Sequence, residues 1–305
     1  MLDASTPSGY EPLRQGAPAD LQSPMTDLSS PSARAALLDG LVAAAHEAGA
    51  EIWRIFQEDF EVIIKSDASP VTVADQAAEA VILKALARLA PGVPVVAEEE
   101  AAAGRIPDVA DRFFLVDPLD GTKEFIKRGT DFTVNIALVE NRVPTLGVVY
   151  APARSQMFAG DVAAGGAWVG QIAPDAEGSP LRTPIAVRTP ASPPVAVASK
   201  SHDTPATEAY LRACGVQERT SIGSSLKFCL VALGEADLYP RPAPTCEWDT
   251  GAGHAVLSAA GGRVFDLEGK PFRYGKPKFF NPGFVATGPY DPPPLAPFMP
   301  RDTDH

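Results

Sequence analysis

Basic residues are in short supply in this chain: 26 Lys and Arg stand against 38 Asp and Glu, for a net charge of −12. A nucleic-acid-binding surface is therefore not expected, because phosphate contacts need a dominant cationic patch. Cysteine is scarcer still. Cys214, Cys229 and Cys246 are odd in number, far apart and without a Cys-x-x-Cys pair. That excludes a disulfide framework and fits reduced thiols in a cytoplasmic protein. The four histidines, His46, His202, His254 and His305, show no His-Glu-x-x-His spacing. Any bound metal should then be a hard cation held by oxygen. No Cys-x5-Arg phosphatase loop is present. No apolar run approaches the roughly 20 residues of a membrane-spanning helix. Residues 1–31 lack the basic start and apolar stretch of a signal peptide, and their prolines predict a disordered extension. Helical patterning begins only after Pro31, which leaves Met25 open as an alternative start.

What is present is enough for a full core, with 45% hydrophobic residues in 305. Leu38, Leu41, Val42, Ala45, Ala48, Ile52, Trp53 and Phe56 recur at helical spacing and predict a helix over about 33–57. A strand or hairpin near 60–65 and a polar loop at 66–70 lead to a second helix. Asp75 lies in its first turn, and it stops before Pro91-Gly92. Strands are expected at 93–97, 113–116, 132–139, 145–150, 157–159 and 167–169, the third and fourth forming a hairpin through Glu140-Asn141-Arg142. Residues 171–194 read as loop. A strand at 195–199, helices at 204–214 and 222–233, a strand at 237–239 and a helix at 250–260 follow. A last strand pair surrounds Asp266-Leu267-Glu268-Gly269. The order suggests a strand-rich α+β half over 32–180, an α/β half over 181–290, and a flexible proline-rich tail over 291–305. The chemistry is expected between the halves.

Four acidic elements stand at strand ends or helix starts: Asp75, Glu98-Glu99, Asp117 with Asp120, and Asp249. In layered α/β proteins such ends gather on one rim, where ligands bind. Each has a simpler reading alone: a solvated acidic run, a turn, a helix N-cap. Their joint occurrence in this order favours convergence. Two carboxylates about 4 Å apart repel by roughly 4 kcal/mol at an effective dielectric of 20. Either some of them protonate or divalent cations sit among them, and Mg²⁺ suits a few carboxylates completed by water and substrate phosphate. Pro118 stiffens the turn between Asp117 and Asp120, so the Leu119 carbonyl can join the oxygen set. Gly121 permits close backbone approach, and Thr122 opens a short helix whose N–H groups can meet an anion.

These residues resemble the inositol monophosphatase superfamily of Mg²⁺-dependent, lithium-sensitive phosphatases. The pattern stands here as Asp75, Glu98-Glu99, Asp117-Pro118-Leu119-Asp120-Gly121-Thr122 and Trp248-Asp249-Thr250-Gly251-Ala252-Gly253, with resemblance over about 35–290. Residues 69–75, 120–139, 147–152 and 224–241 are similar to its bacterial 3'(2'),5'-bisphosphate nucleotidase branch. Departures are the N-terminal extension, Glu100 and Gly251. The resemblance implies a layered α/β/α/β/α sandwich that hydrolyses the 3'-phosphate of adenosine 3',5'-bisphosphate, or of its sulfated analogue 3'-phosphoadenylyl sulfate, to clear a by-product of sulfate assimilation. It implies two or three Mg²⁺, the first held by Glu98, Asp117 and the Leu119 carbonyl, the second by Asp117, Asp120 and Asp249. Thr122 with Asp75 is the implied proton relay, shared by Glu98 and Glu99. Gly121 and Thr122, with Glu98, Leu119, Asp120 and Asp249 around them, would contact the transferred phosphate. Ser224, Lys227 and Arg241 would meet the rest of the nucleotide. His202 either stacks on adenine or is a surface histidine. Through the resemblance the expected location extends to the inner face of the cytoplasmic membrane. Two other readings remain: an inositol or sugar-phosphate monophosphatase, and a non-catalytic nucleotide or metal sensor.

Overall fold

Ser30 and Pro31 start the first helix. The Ser30 hydroxyl accepts a hydrogen bond from Ala33 N at 3.1 Å, and Pro31, lacking an N–H, opens α1 (Pro31–Phe56). The structure, a computed structural model, describes residue 28 and residues 30–60, 62–64, 70–199 and 204–299. The expected disordered extension therefore lies outside the described residues, apart from Leu28, which is buried in the core, and Ser30. So do His202 and most of the 66–70 loop.

A short hairpin, β1 (Val62–Ile64) and β2 (Pro70–Thr72), leads to α2 (Val73–Leu89). Thr72 and Asp75 form a capping box there, with Thr72 N and its hydroxyl both donating to Asp75 Oδ2 at 2.8 Å. The chain then builds a seven-stranded sheet in sequence order. It runs β3 (Val95–Ala97), β4 (Arg112–Asp120), β5 (Thr133–Glu140), β6 (Val143–Ala151), β7 (Gln156–Asp161), β8 (Gly166–Gln171) and β9 (Thr183–Ile185). One-turn helices α3 (Glu98–Ala102) and α4 (Thr122–Ile126) follow β3 and β4 directly. Within this sheet, among the described residues, only the β3–β4 pair is parallel.

The second half supplies β10 (Val195–Ser199), α5 (Pro205–Ala213), β11 (Glu218–Ile222), α6 (Leu226–Ala232), β12 (Leu238–Arg241), β13 (Thr245–Cys246) and α7 (Trp248–Ala259). It ends with β14 (Arg263–Phe265), β15 (Phe280–Asn281) and β16 (Phe284–Thr287). Five of these strands form a second sheet in the order β11-β10-β12-β16-β14.

Alternation along the strands sorts side chains into three cores. Phe114 and Val116 of β4 pack with α1 and α2, whereas Phe113 and Leu115 face α6, α7 and Val197, Tyr239 and Phe284 of the second sheet. Ala196, Leu238 and Val285 pack on the far side against Tyr210 and Leu211 of α5. The result is the layered α/β/α/β/α sandwich expected. Strands covered on both faces read as unbroken apolar runs, which is why 113–116 shows no polar alternation. Each fully buried phenylalanine contributes on the order of 2 kcal/mol. The middle core draws on both halves, so neither buries its apolar surface alone.

Four expectations change. Within the expected 171–194 loop, β9 adds to the edge of the first sheet, and β11 precedes a helix shorter than 222–233. Around Asp266–Gly269 there is only an isolated bridge, Phe265–Pro271, because β14 pairs with β16 instead. From Asp291 to Met299 the chain is docked rather than free: Leu295 is fully buried, Tyr210 OH donates to Pro293 O at 2.7 Å, and Phe298 packs edge-on against Tyr210. An apolar anchor outweighs the freedom its prolines suggested. Residues 300–305 lie outside the described residues.

Candidate active site

Parallel pairing of Ala97 with Val116 sets Glu98, just past the end of β3, beside Asp117 of β4. β4 does not stop at Val116 as the sequence suggests. It runs on to Asp120 through an irregularity between Asp117 and Asp120, where Pro118 has no N–H to give the ladder. Asp117 Oδ1 accepts Leu119 N at 3.1 Å, which folds the turn back on itself. Gly121 then adopts φ +96, a left-handed conformation that turns the chain into α4. The first turn of α7 delivers Asp249, whose Oδ2 accepts Cys246 N at 2.7 Å.

A cavity of about 350 Å³ opens at this rim between the two sheets. Glu98, Asp117, Leu119, Asp120, Gly121, Thr122 and Asp249 line it, together with Ser224, Lys227 and Arg241. Asp75 stands behind the lining: Thr122 Oγ1 donates to its Oδ1 at 3.1 Å and lies 3.2 Å from Leu119 O. Glu99 faces an adjacent groove with Glu79 and Glu100 instead. His202 lies outside the described residues.

Electrostatic strain marks the acidic wall. Burial first, then the charges of Glu98, Asp120 and Asp249, hold the Asp117 carboxyl well above the usual range. Burial, Asp120 and Glu98 do the same to Asp249. Burial lifts Asp75 to about 6. No described lysine or arginine forms an ion pair with Asp117, Asp120 or Asp249. Among the described residues, no three His, Cys, Asp or Glu side chains stand close enough to grip an ion as placed. The donor set itself, carboxylates plus the Leu119 carbonyl, is all hard oxygen and suits Mg²⁺.

Burial pulls the Lys227 ammonium down to about 8, opposed by the charge of Asp120 and assisted by Arg241. Its Nζ donates to Ser224 O at 2.5 Å, so Lys227 shapes the loop as well as lining the cavity. Arg241 is 9% exposed and its Nε is buried without a hydrogen-bond partner. The Ser224 hydroxyl, expected to face a ligand, donates to Asp120 Oδ2 at 2.7 Å.

Sequence reading missed several residues that hold this arrangement. Ser225 Oγ lies 3.1 Å from Asp120 Oδ2 and 2.9 Å from Asp249 O. Glu79, one helical turn beyond Asp75, accepts Glu99 N at 2.8 Å and Glu100 N at 3.1 Å, and burial lifts its carboxyl to about 7. The i,i+4 spacing of Asp75 and Glu79 is the signal that could have revealed it. Glu247, fully buried, accepts Gly275 N at 2.8 Å and Lys276 N at 3.0 Å and pairs with Lys276 Nζ at 2.8 Å, fixing the start of α7.

The chain belongs to the inositol monophosphatase family, whose model matches residues 34–287. It is 48% identical over 251 residues to the 3'(2'),5'-bisphosphate nucleotidase CysQ of Shigella flexneri, covering 81% of this chain and 98% of that one. Among solved structures, CysQ from Bacteroides thetaiotaomicron matches with a TM-score of 0.71 at 37% identity, over 84% of this chain and 98% of that chain. Inositol monophosphatase from Anabaena matches with a TM-score of 0.64 at 26% identity, over 87% and 94%. No helix among the described residues is long and apolar enough to cross a membrane.

Proposed function

We propose that the chain is a Mg²⁺-dependent phosphomonoesterase that hydrolyses the 3'-phosphate of adenosine 3',5'-bisphosphate to AMP and phosphate, and acts on 3'-phosphoadenylyl sulfate. One observation carries the reading: a single cavity joins an acidic wall to two buried cations. A substrate with two anionic groups suits such a lining, one group meeting cations held by the carboxylates and the other meeting Lys227 and Arg241. Inositol 1-phosphate has only one. The 48% identity to a bisphosphate nucleotidase supports the same choice.

In this reading Glu98, Asp117, the Leu119 carbonyl, Asp120 and Asp249 hold two or three Mg²⁺. Bound there, the cations neutralise the acidic wall, offset charge on the transferred phosphoryl group and lower the pKa of attacking water. Thr122 and Asp75 take the proton: the Thr122 hydroxyl gives its hydrogen to Asp75 and offers a lone pair to the incoming water. Glu99, near Asp75, sets the charge that Asp75 feels. The backbone of Gly121 and Thr122, at the start of α4, faces the phosphate. Arg241 presents a planar fork to the second phosphate. Three free thiols fit a reducing cytoplasm.

The test is phosphate release from adenosine 3',5'-bisphosphate and from myo-inositol 1-phosphate, each with and without Mg²⁺. The account expects strong, Mg²⁺-dependent preference for the nucleotide. Preference for inositol phosphate would reject it, and binding without turnover would favour a sensor.

A further inference from the structure

Three polar side chains alternate with apolar ones on the way into β5: Asp131 lies two residues before the strand, and Thr133 and Asn135 lie within it. Asp131, Thr133 and Asn135 are each at most 1% exposed, and none lines the cavity. Their period of two places them on one face. They meet three consecutive residues of the loop between β11 and α6. Asp131 Oδ2 accepts Gly223 N at 3.1 Å, Thr133 Oγ1 hydrogen-bonds Ser224 Oγ, and Asn135 Nδ2 donates to Ser225 Oγ at 3.0 Å.

The loop passes this registration on to Asp120. Ser224 and Ser225 both reach Asp120 Oδ2, at 2.7 and 3.1 Å. Each hydroxyl has one proton to give. Thr133 Oγ1 also lies 3.1 Å from Asn135 Oδ1, and Ser225 Oγ lies 2.9 Å from Asp249 O, so these protons are shared within one cross-linked network that converges on one Asp120 oxygen, leaving the other for the cavity. The fit at the first rung is tight. A Cβ on Gly223 would lie 2.8 Å from Asp131 Cβ, and one on Gly121 would lie 2.8 Å from Asp131 O. Asp131 is thus wedged between the acidic turn and the 223–225 loop, and Arg154 Nε donates to its Oδ1 at 3.1 Å from outside.

We infer that Asp131, Thr133 and Asn135 are positioning residues, a three-rung polar ladder that registers the 223–225 loop of the second half against Asp120 of the first. The ladder sets which Asp120 oxygen faces the cation and where Lys227 stands. The Mg²⁺ and activity arms of its test rest on the proposed function, and the exchange arm does not.

The experiment compares full-length Thr133→Val, Thr133→Ser and Asp131→Asn with the parent. Calorimetry measures Mg²⁺ binding to the metal-free chains, and amide exchange is followed over 223–227. Steady-state assays separate the Mg²⁺ half-saturation from the KM for nucleotide. Loss of a residue behind a metal ligand typically weakens metal binding or activity about 10- to 100-fold. Thr133→Val is expected to weaken Mg²⁺ binding by about tenfold and speed exchange at 223–225. At saturating Mg²⁺ its KM should stay within about twofold of the parent, and Thr133→Ser should restore most of the loss. A change in melting temperature with parent-like Mg²⁺ binding and loop exchange would overturn the ladder. If Thr133→Val does not fold, the near-isosteric Asp131→Asn carries the same readouts. If the parent binds Mg²⁺ but releases no phosphate, the function fails while calorimetry and exchange still decide the ladder. If the parent binds no Mg²⁺, unchanged loop exchange in both variants overturns it and faster exchange supports it.

Discussion

Replacing Asp117 by Asn should make the metal-free protein more stable while removing what Mg²⁺ adds. Asp117 is 1% exposed, and burial first, then the charges of Glu98, Asp120 and Asp249, hold its carboxyl well above the usual range. Two unit charges about 4 Å apart repel by roughly 4 kcal/mol at an effective dielectric of 20. Relaxation and partial protonation absorb part of that, so relief of about 2 kcal/mol is expected. An Asn oxygen can still accept Leu119 N, so the turn is kept. For a chain of this size 1 kcal/mol moves Tm by about 2–4 °C. In chelator the variant should therefore melt about 4–8 °C above the parent. With Mg²⁺ at 100 times its Kd the parent gains about 2.7 kcal/mol, and the variant should gain little. Differential scanning calorimetry at pH 8, with EDTA and with Mg²⁺, measures both. A variant that melts at or below the parent in EDTA would refute the claim that these carboxylates repel one another.

Three further outcomes follow from other parts of the molecule. His254 is buried against Tyr274, and burial depresses its pKa to about 3, below the ordinary 6.5. Between those values only the unfolded chain takes the proton, so stability falls as pH drops from 6.5 toward 3, by up to about 1.4 kcal/mol per unit. His254→Gln should flatten that slope in urea titrations at pH 4–7, and an unchanged slope counts against it. Arg241→Lys should raise the KM for adenosine 3',5'-bisphosphate about tenfold with a smaller change in kcat, because a point charge cannot make the paired contact. An equal fall in kcat at unchanged KM would move Arg241 away from ground-state binding. Leu295→Ala should cost about 2–4 kcal/mol in denaturant unfolding with near-parental turnover at 25 °C. A negligible loss would show the 291–299 segment to be undocked.

Periodicity revealed what is buried on a regular pattern and little else. The helix around Leu41 and Ile52, and the strands carrying Phe113–Val116 and Thr133–Val139, declare themselves because each repeats apolar residues at the spacing of its backbone. β11 was invisible for the opposite reason: Glu218-Arg219-Thr220-Ser221 is an exposed polar edge strand, held by backbone pairing to β10. β9 is three residues long and likewise sits at an edge. At the cavity, the acidic residues stand out as charge at strand ends. Their supports do not. Glu79, Asn135, Ser225 and Glu247 act through hydrogen bonds to residues 20 or more positions away, which no local pattern encodes. Ser224 could be read as reaching the cavity but not as bonded to Asp120, since that depends on its left-handed φ of +57.

Crystals grown with Mn²⁺ in place of Mg²⁺ give the most direct test of the acidic wall, because anomalous scattering locates the ion without reference to activity. The account predicts a peak about 2.1 Å from oxygens of Asp117 and Asp120, with Glu98, the Leu119 carbonyl or Asp249 completing the shell. Saturating Mn²⁺ that leaves this corner empty, in protein that still releases phosphate, would contradict it.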